Sequence, residues 1–157
     1  MTTILDDALI LSILDGLESH ALTLGRFEWV NKHEPKSAPG SGLTAAVWLQ
    51  NLRPLPEASG MTSTTGLLTW MLRIYQNFLS EPQDAIDSTV LAAASDLIGA
   101  YSNDFDLGGT VRNVDLLGQF SEGLSGRAGY LNQDGKVLRI FDITIPLIVN
   151  DLWTQAA

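Results

Sequence analysis

The chain has 157 residues, of which 45% are hydrophobic and 17% charged, with a formal net charge of −9 and a pI near 4.4. That length and composition fit one folded domain, residues 1–157, and exclude a disordered chain. The acidity argues against gripping nucleic acid through its phosphates, and the absence of cysteine rules out disulfides and thiolate metal sites.

Low charge combined with four Trp points to apolar surface held against partners rather than water. No basic segment leads into an apolar run at the N-terminus, so no secretory signal is expected. No apolar run approaches the roughly 20 residues needed to span a bilayer, and no membrane contact is expected.

Thr3 to Leu24 reads as a helix, with Leu5, Leu9, Ile13, Leu17 and Ala21 recurring at i+4. Thr2 or Thr3 can cap it, Asp6 and Asp7 suit its positive end, and Gly25 suits its exit. Arg26 to Gly42 is irregular, with a short extended piece at Phe27, Trp29 and Val30 and proline and glycine beyond. Leu43 to Leu52 alternates as a strand, and Arg53 to Gly60, with two prolines, reads as a projecting loop. Thr62 to Phe78 is a second long strand, with Leu68, Trp70, Leu72 and Ile74 toward the core.

Ser80 to Ser102 predicts a second helix. Ser80-Glu81-Pro82-Gln83 fits a capping box, and Ile86, Val90, Ala94, Leu97 and Tyr101 form the stripe. Asn103 to Gly109 is a loop, Val111 to Leu117 a candidate strand, and Gln119 to Ser125 a glycine-punctuated turn. The predicted order is α-β-β-α-β-β-β.

Asp134-Gly135 then signals a two-residue hairpin turn, since both residues can take φ > 0. A turn centred there pairs Leu131 with Leu138, Tyr130 with Arg139 and Arg127 with Asp142. The last is an opposite-charge pair able to fix register for a few tenths to about 1 kcal/mol. Past the turn, Val137, Phe141, Ile143, Ile145, Leu147 and Val149 share one face, a core face. Pro146 cannot donate to a ladder and is expected at an edge or bulge.

The chemistry-bearing residues yield little. His20 lies on the first helix's stripe and reads as a satisfied, partly buried side chain. His33-Glu34 lacks the second histidine of a metalloprotease motif. Gly40-Ser41-Gly42-Leu43-Thr44-Ala45 leads into a strand instead of opening a helix, so it is no dinucleotide loop. Asp104 and Asp106 with Gly108-Gly109 make half of a calcium loop without its closing Glu, and a polar turn is the better reading. No nucleophile elbow and no basic patch alternating with aromatics is present. The residues read as non-enzymatic, without cofactor or metal. Trp153 is placed either against the sheet or against a partner, while Trp48 and Trp70 read as packing residues.

From Gly126 to Trp153 the sequence GRAGYLNQDGKVLRIFDITIPLIVNDLW resembles the C-terminal portion of tail terminator (tail completion) proteins of long non-contractile-tailed bacteriophages. The detailed match lies in Leu116-Leu117-Gly118, Gly126-Arg127, Asp134-Gly135 and Asp142 to Trp153. The order of elements before it agrees, so the resemblance spans most of the chain; the Arg26 to Gly42 segment departs from the most compact members.

The resemblance implies an α+β fold, a mainly antiparallel sheet with two flanking helices. It implies a structural virion protein at the head-tail junction, made in the host cytoplasm. Its members form a hexameric ring on the head-proximal end of the tail tube, stop tube polymerisation and present a surface to the neck or head-completion protein. DNA would cross the lumen unbound, repelled by a ring that multiplies the −9 of one chain sixfold. The interface candidates are Arg53, Leu55, Glu57 and Met61 around the projecting loop, Arg127 and Asp142 on the hairpin, and Asp151, Leu152 and Trp153 in the tail. Deleting Leu152 to Ala157 would then impair assembly and leave the monomer folded. The alternatives are a neck or head-completion adaptor, or a ligand-binding module with an apolar pocket around Trp48 and Trp70.

Overall fold

Lys136 to Thr154 forms one uninterrupted strand, β6, and the rest of the molecule is laid against it. The computed structural model describes residues 5–35, 42–77 and 86–155. Helix α1 covers Asp7–Thr23, followed by strands β1 (Trp29–Asn31), β2 (Leu43–Leu55) and β3 (Ser63–Asn77). Helix α2 (Ile86–Asn103) and strands β4 (Asn113–Val114) and β5 (Ser125–Gln133) precede β6. The fold is α+β, with strands ordered β1-β2-β3-β6-β4 and β5 paired to β6. All pairings are antiparallel except β1 with β2.

The hairpin register is the one the turn predicts. Asp134 and Gly135 take φ of 54° and 75°, and Leu131, Tyr130 and Arg127 lie opposite Leu138, Arg139 and Asp142. The odd-numbered residues Ile143, Ile145, Leu147 and Val149 enter the main core with Leu68, Trp70, Leu72 and Ile74 of β3. Both helices close this face through Ile13, Leu17 and Ala21 of α1 and Val90, Ala94, Leu97 and Tyr101 of α2. The buried Tyr101 hydroxyl donates to the Leu17 carbonyl at 2.8 Å, tying the helices together.

Several expectations are corrected. Helix α1 starts at Asp7 because Asp6, not Thr2 or Thr3, is its cap, accepting from the Leu9 amide at 2.9 Å. The extended piece at Trp29 is a true strand, so the order is α-β-β-β-α-β-β-β. β2 continues through the expected loop to Leu55, and only Pro56–Ala58, a 3-10 turn, and the next few residues remain. Pro54 is tolerated because β1 stops pairing at Ala46, which leaves the outer edge of β2 open there.

Pro146 sits at neither an edge nor a bulge: β3 flanks β6 on one side, and Pro146 lies where its other neighbour changes from β5 to β4. Its carbonyl accepts from Asp115 N at 2.9 Å, and the amide it lacks falls at that junction. β4 is only two residues long because Asp115 turns the chain out of the ladder. The capping box at Ser80 lies outside the described residues.

The opposite face of the sheet carries two smaller clusters. Ala46, Tyr75, Leu138 and Ile140 form one, beneath Trp48 and Leu131; Leu55, Leu67 and Ile148 form the other, beneath Phe120. Between them Arg73 grips Asp142 with two bonds of 2.6 and 3.0 Å. This bond holds the Arg73 guanidinium more firmly charged, against the cost of burial.

Leu152 is fully buried in the main core, where one of its methyls packs against Gly66. Replacing it with Ala is expected to cost about 2–5 kcal/mol in urea unfolding. Removing residues 152–157 is likewise expected to unfold the monomer, not merely disturb assembly, as far-ultraviolet circular dichroism would register.

Candidate assembly surface

The candidate residues divide into those that reach solvent and those the fold consumes. Arg53, Glu57, Met61, Arg127 and Asp151 are exposed, and Trp153 is half-buried against the core. Leu55 and Leu152 are fully buried and are core residues, not contacts. Leu55 turns inward under the 3-10 turn, where Ser59 Oγ donates to its carbonyl at 2.5 Å. The reversed backbone at Asp151, φ 55°, accompanies the register shift that brings Leu152 inward. Asp142 faces Arg127 in register, but its carboxylate is taken by Arg73 of β3.

At one flank of the sheet stands the β2–β3 hairpin. Met61 at its turn is 94% exposed. The turn is fastened by the chain's end: Gln155 N donates to Thr62 O at 2.8 Å, and Gln155 Nε2 donates to Gly60 O at 2.9 Å. Ser63 Oγ donates to the Asp151 carboxylate, which places that charge beside the turn. Glu57 lies in the 3-10 turn itself, without an ion pair among the described residues.

The edge strand β4, beyond β6, leads into a loop that the candidate set does not include. Asp115 is 3% exposed, and its carboxylate accepts from Gln119 N (2.7 Å), Phe120 N (2.9 Å) and Ser121 Oγ (2.7 Å). Burial pushes its pKa up, but these bonds outweigh burial and hold it below the ordinary carboxylate value. Gly118 and Gly123 take φ of 84° and 87°, and a Cβ on Gly123 would lie 2.9 Å from Gly118 N. Phe120 packs over Leu55, and Arg53 Nη2 donates to its carbonyl at 3.1 Å.

The loop is thus fixed from below, and its tip, Leu117, is 99% exposed. Beside it Phe105, Arg112, Val114 and Leu116 line an open cleft of about 570 Å³. Leu116-Leu117-Gly118 stands among the motifs of the resemblance. The signal for its exposure is an Asp followed within six residues by a glycine and a serine, the pattern of a self-capped turn.

Other features have ordinary roles. His20 Nε2 and Asp104 Oδ2 lie 2.8 Å apart, with the ring edge-on to Tyr101. That contact first, then the Gly108 amide, lowers the Asp104 pKa. Asp104 thereby closes a polar turn. Trp70 lies in the main core and Trp48 on the opposite face, with Arg73 5.6 Å above its ring, so the two share no pocket. A polar cleft of about 520 Å³ lies between Gln50, Thr69, Thr144 and Ser121. No three His, Asp or Glu gather as metal ligands among the described residues, and no described helix is long and apolar enough to cross a membrane.

No protein-family model and no curated protein matches the sequence. Among solved structures, the chain is similar to a chain of the virion of a native gene transfer agent particle. The two are 12% identical over 91% of this chain and 98% of that one, with a TM-score of 0.41. It is also similar to a chain from a sheath/tube terminator, in its extended state, of an extracellular contractile injection system. There the identity is 10%, the TM-score 0.44, and the match covers 94% of this chain and 58% of that one. Both superpositions are loose.

Removing the Asp115 carboxylate as Asp115→Ala is expected to cost about 1–3 kcal/mol and to speed hydrogen exchange at the Gln119 and Phe120 amides. Because the folded pKa is depressed, the wild-type carboxylate stabilises the loop above the unfolded value near 3.9. That contribution fades as pH falls below about 4, so the same amides should lose protection there.

Proposed function

We propose that the protein is a structural component of a tailed phage-like virion. It forms a ring at the head-proximal end of the tail tube, ends tube polymerisation and offers the surface to which the neck attaches. The observation that carries this reading is the Gly126 to Trp153 resemblance, whose residues form the β5–β6 hairpin and most of the strand that organises the sheet. Two further features support it. The most exposed large apolar side chains are Met61, at the β2–β3 turn, and Leu117, in the loop after the edge strand β4. Each sits on backbone fastened by hydrogen bonds, which suits a surface completed by neighbours. A chain of net charge −9 also makes a poor DNA ligand, as a conduit wall should be.

Mixing the purified protein with isolated tail tubes tests the reading by light scattering and electron microscopy. Rings capping a single tube end are expected. Protein that ignores tubes but binds emptied heads would identify a neck adaptor, and protein that binds neither would overturn both.

A further inference from the structure

This inference rests on the ring reading and concerns which surfaces meet. Half of the described cations are paired with carboxylates, Arg26 with Asp96, Lys32 with Asp15, Arg73 with Asp142 and Arg139 with Asp87, whereas Arg53, Arg112, Arg127 and Lys136 form no ion pair among the described residues. Of the unpaired set, Arg112 is the one that lines the Leu117 cleft. It is exposed there, and its recorded partner is the Asn150 amide oxygen at 3.3 Å, not a carboxylate. That edge therefore offers an apolar notch, walled by Phe105 (51% exposed) and Leu117, with a cation at its rim. The β2–β3 hairpin offers the converse, an apolar Met61 flanked by the carboxylates of Glu57 and Asp151.

We infer that the Met61 turn of one copy docks into the Phe105–Leu117 notch of the next, with Glu57 and Asp151 facing Arg112. The occupant is a second copy because this chain itself carries a knob of matching polarity and opposite charge. An acidic surface of net charge −9 would otherwise hold copies apart. Knob and notch are different surfaces of the chain, so the contact between copies is head-to-tail and can repeat from one copy to the next. Both sides are preorganised, the notch by the Asp115 bonds and the knob by Gln155, so little is lost in ordering them on contact.

The cysteine-free chain makes a clean cross-linking test. A Met61→Cys/Leu117→Cys double variant is treated with a short bismaleimide, in concentrated solution and on tail tubes. A ladder of cross-linked oligomers is expected, while Met61→Cys alone gives none. Adding Arg112→Glu to the double variant should cut the ladder several-fold, and a further Glu57→Arg should restore it. Circular dichroism verifies that every variant is folded.

A ladder in solution without tube capping would uphold the contact and sink the terminator reading. Capped tubes without a ladder would do the reverse. Met61–Met61 dimers, charge variants without effect, or no self-association under either condition would overturn the contact.

Discussion

Nineteen residues of β6 have to be hydrogen-bonded on both edges and covered on at least one face, and the remaining elements are arranged to meet that demand. β3 supplies one edge from Leu138 to Thr154. The other edge is longer than any single local neighbour can cover, so β5 pairs Lys136 to Thr144 and the short β4 pairs Leu147 and Ile148. The two helices share a face because the odd-numbered residues of β6 are uniformly aliphatic from Ile143 to Val149, and that row needs a dry cover. The even-numbered row mixes Asp142, Thr144 and Pro146 with Leu138, Ile140 and Ile148. It buries only in patches, leaving a polar cleft between them.

The same strand explains what was legible in the sequence. The Asp134-Gly135 turn and the 2-residue period of β6 are local, so register and core face could be read from them. The stripes of both helices were equally plain. The partner of Asp142 was not, because pairing rules for a hairpin see only the adjacent strand, whereas Arg73 reaches it from β3, 69 residues away. Leu152 escaped because periodicity assumes an unbroken pleat, and the positive φ at Asp151 breaks it. Leu55 escaped because Pro54 and Pro56 suggest a loop unless the emptiness of the outer edge of β2 is known. Of the two exposed apolar tips, Met61 was visible at the β2–β3 turn, while Leu117 needed the Asp115 bonds, which draw Asp115 to Ser121 into one fixed turn.

A stability cost is visible in this arrangement. Met61 and Leu117 expose nearly their whole side chains, and neither contributes to the monomer's core. Asp115 commits a buried carboxylate, and two glycines backbone entropy, to a loop that lays Phe120 over the Leu55 cluster but leaves Leu117 outside. Packing of the chain alone does not require such expense. Fixing the loop in advance would lower the entropy lost if a partner docked there, as the proposed contact requires.

In the proposed ring, net charge would set when the assembled state is reached. Apolar anchors alone would join copies at any concentration, and premature rings would be useless if the tube end is where closure belongs. A charge of −9 on each copy opposes encounter over about 8–10 Å at ordinary ionic strength, whereas the proposed Met61 and Arg112 contacts would act only at van der Waals and hydrogen-bond range. Long-range repulsion with short-range attraction keeps free copies apart. It allows closure once a third surface holds them side by side, and the tube end would be such a surface. In the proposed ring, the acidity that would disfavour DNA on the wall and the acidity that would delay closure are one property, serving assembly before passage.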